Sequence, residues 1–175
     1  LIDLRAAHGF GPEDVEEIEV AVDSVTPTVL IHDRPSTGLE GKFSMHFCAA
    51  SAVVHGRVGI ETFESGVDDP IVRALLPRVV MRADPEVGID QPTLTEAVVT
   101  VRLKDGRTLE RRVRGARGYP MNPPTRDDLE QKFLSCARRT LSAEAADDAL
   151  AWLRDLDQRP ITGLVELVGQ PAAAV

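Results

Sequence analysis

No Cys-x-x-Cys pair, no His-x-x-x-His pair and no Gly-x-Ser-x-Gly elbow occurs in the sequence. The first two absences remove the local spacings from which a chain builds a zinc site. The third removes the strained turn that presents a serine nucleophile. The four histidines are His8, His32, His46 and His55, and His46 and His55, nine residues apart, point to opposite sides of one helix. No metal site is therefore expected from this chain alone. The glycine pairs in GRVG and GARG lack the strand–loop–helix context of a phosphate loop. Basic residues are also short. Twenty Lys and Arg stand against 28 Asp and Glu, a net charge of −8, which excludes a nucleic-acid backbone as partner. No run approaches the roughly 18 apolar residues that a membrane span needs, so no membrane partner is expected. Only two cysteines occur, Cys48 and Cys136, each inside a helix-like apolar pattern. They read as small buried hydrophobes in a reducing, cytoplasmic setting and not as a disulfide.

What is present is enough apolar material for a core, 43% of 175 residues. The opening LIDLRAAHG carries neither an initiator methionine nor a signal sequence. It reads as the last turns of an amphipathic helix ending at Gly9, with Leu1, Leu4 and Ile2 on one face. The expectation is a piece of a longer protein. Ile18, Val20 and Val22 then alternate with Glu19, Ala21 and Asp23, as in a half-buried strand. Residues 24–41 hold two prolines and two glycines and read as a connecting loop. A helix is predicted from about Gly41 to His55, then a short turn over GIETF. Asp68 or Asp69 caps a helix opened by Pro70, and RVVMRA follows as a strand.

The clearest local signal is a β-hairpin in TEAVVTVRLKDGRTLERRVRG. A three-residue loop, Lys104-Asp105-Gly106, pairs Val101 with Leu109 and Ala97 with Val113, and leaves Thr100 facing Glu110 on the wet side. A two-residue turn would set Val101 against Glu110, so the longer loop is favoured. Thr125 and Asp128 have capping-box spacing and open a helix with Leu129, Phe133 and Cys136 or Ala137 inside. A second helix covers EAADDALAWLRDL, and the tail GQPAAAV reads as frayed. The expected fold is α+β: a mainly antiparallel sheet with a β-hairpin, covered by helices, plus C-terminal helices. Residues 1–125 form the α+β domain and residues 126–175 the C-terminal helices and tail.

Two clusters bear on chemistry. Arg102, Arg107, Arg111, Arg112, Arg114 and Arg117 surround the hairpin, either as an oxyanion-binding face or as a solvated face balanced by acids, and the second is favoured. Lys42 and His46 fall one turn apart on the predicted helix and are open to acid–base work. Phe43 and Phe47 form a neighbouring stripe, which more often means core than site. Motifs alone leave an α+β domain of undeclared function.

The order of several segments nonetheless resembles the MmgE/PrpD family, which includes 2-methylcitrate dehydratases, cis-aconitate decarboxylases and iminodisuccinate epimerases. EGKFSMHFCAASAVVHGRVGIETF is similar to the family's K-F-S helix and the G-R-[apolar]-G after it. PEDVEEIEVAV, DDPIVRALLPRVVMRAD and AVVTVRLKDGRTLERRVRGARGYPMNPPTRDDLEQKF continue the match, over roughly residues 1–155. The resemblance implies the smaller α+β domain of a larger enzyme whose N-terminal helical domain is absent from this chain. It further implies a homo-oligomer in the full-length form, a small polycarboxylate as substrate, and no cofactor. The chemistry would be proton abstraction next to a carboxylate, elimination or decarboxylation. The chain alone would lack most catalytic groups. On the K-F-S helix the family commonly places a tyrosine whose hydroxyl faces the interdomain cleft. Phe47 stands at that position, so the hydroxyl is missing, and His46 or Ser44 would supply a polar group instead. Lys42 and Ser44 are the expected substrate-binding residues, with His46 and Phe47 at the catalytic positions. A non-catalytic binding or regulatory module sharing the fold is the alternative.

Overall fold

Apolar alternation does build the first strand. A computed structural model of the chain describes residues 1–88 and 96–169. Helix α1 (Ile2–His8) ends at Gly9, and strand β1 (Val15–Val22) follows with Ile18, Val20 and Val22 buried. Four short helices come next: α2 (Thr26–Val29), α3 (Gly38–Lys42), α4 (Met45–His55) and α5 (Ile60–Ser65). Helix α6 (Pro70–Leu75) is capped by Asp69, whose Oδ1 accepts the Ile71 and Val72 amides. Strand β2 (Val79–Ala83) and the hairpin β3 (Glu96–Leu103) and β4 (Thr108–Arg114) complete the sheet.

The hairpin register is the expected one: Val101 faces Leu109, Ala97 faces Val113 and Thr100 faces Glu110. Gly106 takes φ +88°, which suits a residue without a Cβ. The sheet order is β2-β1-β3-β4, with β1 antiparallel to β3, β3 antiparallel to β4, and β2 parallel to β1. The fold is therefore α+β on a mixed sheet. Among the described residues, two of the three strand pairs are antiparallel, in line with the mainly antiparallel sheet expected. The third is parallel because the long helical crossover between β1 and β2 returns the chain in the same direction.

The chain divides into two compact units, Leu1–Ala116 and Arg117–Val175. In the first, α4 packs against α6 and the sheet, burying Phe47, Ala50 and Val53 with Ile18, Val101 and Leu103. Apart from Ala50, each of these side chains contributes about 1.5–3 kcal/mol relative to exposure. In the second, helices α7 (Arg126–Ala137), α8 (Ala143–Arg154) and α9 (Ile161–Val168) pack in sequence. Thr125 and Asp128 form the expected capping box, and the Glu130 carboxylate joins Arg126 to Arg154.

Five sequence expectations change. The predicted loop over residues 24–41 contains α2 and α3. The helix predicted from Gly41 to His55 is broken at Phe43 and Ser44, for the reason given below. Ile2 is exposed while Leu4 is buried. Cys136 is exposed, as is Leu129, and α7 has no buried residue, because spacing marks an apolar side without supplying anything to cover it. Helix α9, not foreseen, follows Pro160. Residues 170–175 of the tail lie outside the described residues. Among the described residues, no helix is long and apolar enough to cross a membrane.

Candidate functional site

The K-F-S stretch folds as two helices because a serine sits where the second must start. Ser44 is extended (φ −129°, ψ 110°), and its Oγ accepts the Phe47 N–H at 3.0 Å. Serine is among the best residues for this role, since its side chain replaces a helix hydrogen bond that the first turn lacks. Upstream, Thr37 caps α3 in the same way through the Glu40 amide, and Glu40 reaches back to the Ser36 amide. The pattern Thr37-x-x-Glu40 is a readable start signal, and it would have revealed α3 in the sequence.

The break sets the expected site residues apart. Lys42 ends α3 and is exposed, so it does not share a helical face with His46. Ser44 is fully buried, with its oxygen committed to the cap. Phe43 is exposed, whereas Phe47 is 1% exposed, so the two do not form one stripe. The Phe47 ring packs against Phe63 with centroids 6.0 Å apart. Its Cζ lies 3.8 Å from where a Cβ on Gly66 would stand. The ring tip in this chain points to Gly66, within the unit.

His46 occupies the first turn of α4 with its side chain 13% exposed. Its Nδ1 is buried and makes no hydrogen bond, although the Asp33 Oδ1 stands 3.5 Å away. That separation is too long or too poorly aimed for a hydrogen bond. Asp33 reaches His46 because its loop is pinned to the helix break: the His32 N–H donates to the Phe43 carbonyl at 3.2 Å, and Pro35 is fully buried. No periodicity or local spacing in the sequence signals this pairing. Met45, next to His46, also lines an apolar recess of about 310 Å³ with Val22, Leu30, Ala97 and Val113.

Other candidates are spent elsewhere. Burial pushes the Cys48 thiol up to about 11, which makes it a poor nucleophile. The six hairpin-region arginines are all paired with acids, Arg102 with Glu17, Arg107 with Asp105, Arg111 with Asp3, Arg112 and Arg114 with Glu96, and Arg117 with Asp128. That is the balanced, solvated face. At the far end of α4, the His55 Nε2 stands 3.2 Å from the Asp69 carboxylate that caps α6. Among the described residues, no group of three or more His, Cys, Asp or Glu side chains is placed to hold a metal ion.

The family model of the MmgE/PrpD C-terminal domain matches residues 1–158. Cis-aconitate decarboxylase of Homo sapiens is 26% identical over 124 residues, covering 70% of this chain and 26% of that protein. The Mus musculus cis-aconitate decarboxylase is 26% identical over 151 residues, 85% of this chain and 30% of that protein. The cis-aconitate decarboxylase-like protein oryM of Aspergillus oryzae is 26% identical over 144 residues, 77% of this chain and 29% of its own length. The matched part of this chain thus spans less than a third of each of these relatives.

Proposed function

The chain belongs to the MmgE/PrpD family through its C-terminal domain, and from that premise we propose that it is the smaller part of a lyase or isomerase acting on citrate-like polycarboxylates. The observation that supports this reading is His46. An imidazole with one buried, unbonded nitrogen stands at the first turn of a helix, where partial positive charge and unpaired backbone donors favour carboxylates. Exposed Lys42 lies just before the break and adds a cation to the same segment. Ser44 holds the geometry by capping the helix, and buried Phe47 shapes the wall behind it.

The chemistry proposed is proton transfer at a carbon next to a carboxylate. His46 takes the proton, the C–H bond breaks, and its electron pair spreads into the neighbouring carboxylate. Loss of a β-hydroxyl as water, after protonation, completes a dehydration of the 2-methylcitrate dehydratase type. Delivery of a proton to the opposite face by a second acid, while His46 keeps the one it took, completes an epimerisation. In a decarboxylation His46 starts as the imidazolium: the C–C bond breaks, carbon dioxide leaves, and the imidazolium gives its proton to the carbanion. The relatives named cis-aconitate decarboxylase favour the tricarboxylate class of substrate.

Val25, Val29, Ile31, Leu39 and Phe43 are all exposed between residues 25 and 43. Covering these side chains would remove apolar surface from water. We assign that cover to the family's helical domain, with the substrate between the two and a homo-oligomer as the working form. The chain alone is then inactive.

A second reading, a binding module without turnover, is favoured by Phe47, which lacks the family's hydroxyl and is enclosed. One experiment separates the two. The full product of the encoding gene and this chain alone are assayed against citrate-like tricarboxylates and iminodisuccinate. Turnover by the long form only supports the lyase reading. Binding without turnover by either form supports the module. If neither form binds or converts any of them, the polycarboxylate assignment is wrong.

A further inference from the structure

A carboxylate from the loop before α3 stands next to the His46 imidazole of α4. The Asp33 Oδ1 is 3.5 Å from the His46 Nδ1, and that nitrogen is buried without a hydrogen bond. A buried imidazole nitrogen left without a partner is unfavourable, so the arrangement has a driving force to tighten. Asp33 is free to do so. Its side chain is 75% exposed, and a movement of about half an ångström brings it to hydrogen-bond length. Its backbone, by contrast, is held, with His32 bonded to Phe43 on one side and Pro35 buried on the other.

Building on the lyase reading above, we infer that Asp33 is the positioning residue for His46. Its carboxylate accepts the Nδ1–H, which fixes the tautomer and leaves Nε2 unprotonated as the base. The order of events is defined. The substrate's C–H proton passes to Nε2 and its electron pair stays on the substrate carbon. The resulting imidazolium then sits against the Asp33 carboxylate, which offsets the new charge without taking a proton itself. A carboxylate–imidazole pair of this kind makes histidine a stronger and better oriented base than a lone ring.

Two readouts test this independently. The first is the tautomer of His46 in the ¹⁵N-labelled 175-residue chain, read from the ring nitrogen shifts above the titration range of the ring. The expected result is the Nδ1–H form in the parent, a mixture in Asp33→Ala, and the Nδ1–H form restored in Asp33→Glu. Because Asp33 is exposed, these variants are expected to fold, and a circular dichroism melt checks that. An Nε2–H parent, or a tautomer indifferent to Asp33→Ala, overturns the pairing. The second readout is turnover by the full gene product. Asp33→Ala is expected to lower kcat about 10- to 100-fold with KM little changed, and Asp33→Glu to recover part of it. A loss confined to KM overturns the positioning role. If the tautomer follows Asp33 yet no polycarboxylate is turned over, the pair stands and the lyase reading fails.

Discussion

Ser44 Oγ accepts the Phe47 amide at 3.0 Å inside the core, and this one bond divides an apolar stretch into two helices. The site depends on that division. It turns His46 into a first-turn residue of α4 and leaves Lys42 at the exposed end of α3. Replacing Ser44 with Ala strands a buried amide, so the expected loss is at the upper end of the capping range, about 1–2 kcal/mol. Urea unfolding of the chain checks it. Ser44→Thr keeps the acceptor, and Ser44→Asp keeps it too but buries a charge, so only the threonine variant is expected to hold most of the stability.

Gly38 gives the second prediction. A Cβ there would stand 1.7 Å from the Phe63 carbonyl oxygen, so α3 could not approach α5. Gly38→Ala is expected to cost roughly 2–3 kcal/mol, because backbone must move to relieve the clash. Gly11→Ala is the control. Its close contact, 2.6 Å, is with the Glu13 carboxylate, the far end of a flexible side chain. Its effect is expected within about 0.5 kcal/mol. Equal midpoints for the two variants in thermal melts would contradict the packing argument.

Glu96 sets the third, through pH. The Arg112 guanidinium at 2.6 Å, the Gly88 amide at 2.8 Å and Arg114 at 3.1 Å hold its carboxyl down to about 2. A carboxylate held below its ordinary 4.5 binds its proton more readily in the unfolded chain. Its contribution is therefore full above about pH 4.5 and disappears as pH falls towards 2. Glu96→Gln should destabilise the chain by about 1–3 kcal/mol at pH 7. The gap should narrow between pH 5 and 2, where the parent loses stability more steeply than the variant. Denaturant midpoints across that range supply the test, and parallel curves would refute the assignment.

How far the sequence could be read follows from the reach of each signal. Local chemistry was visible: the Gly106 turn and its register, the Asp69-Pro70 helix start and the Thr125–Asp128 box are each encoded within a few residues. The Ser44 cap was equally local, yet the apolar run around it mimics one continuous helix. Pairing across long separations left no trace. The parallel alignment of Ile18 with Val79 depends on the crossover between them, and the approach of Asp33 to His46 depends on a loop folding back onto Phe43. Exposure of Leu129 and Cys136 was also hidden, because an apolar residue on a helix says which side is suited to burial but not whether anything covers it.

The fourth prediction concerns Phe47, the position at which the sequence resemblance implies a tyrosine. Phe47 is 1% exposed, its ring 6.0 Å from Phe63, with its Cζ 3.8 Å from the Cβ position of Gly66. Phe47 Cζ and the Thr62 methyl both lie 3.8 Å from that Cβ position, so a phenol oxygen added at Cζ would enter a packed region. Burying an unpaired hydroxyl costs about 1–3 kcal/mol. Phe47→Tyr is accordingly expected to lower the stability of the chain by that amount and to leave the turnover of the full gene product no higher than the parent's. The stability arm is read by urea unfolding and the activity arm with a citrate-like tricarboxylate. A stable Phe47→Tyr variant with raised turnover would mean that the ring swings towards the substrate in the complete enzyme. The base would then need the phenol, and His46 with Asp33 would lose its claim to replace it.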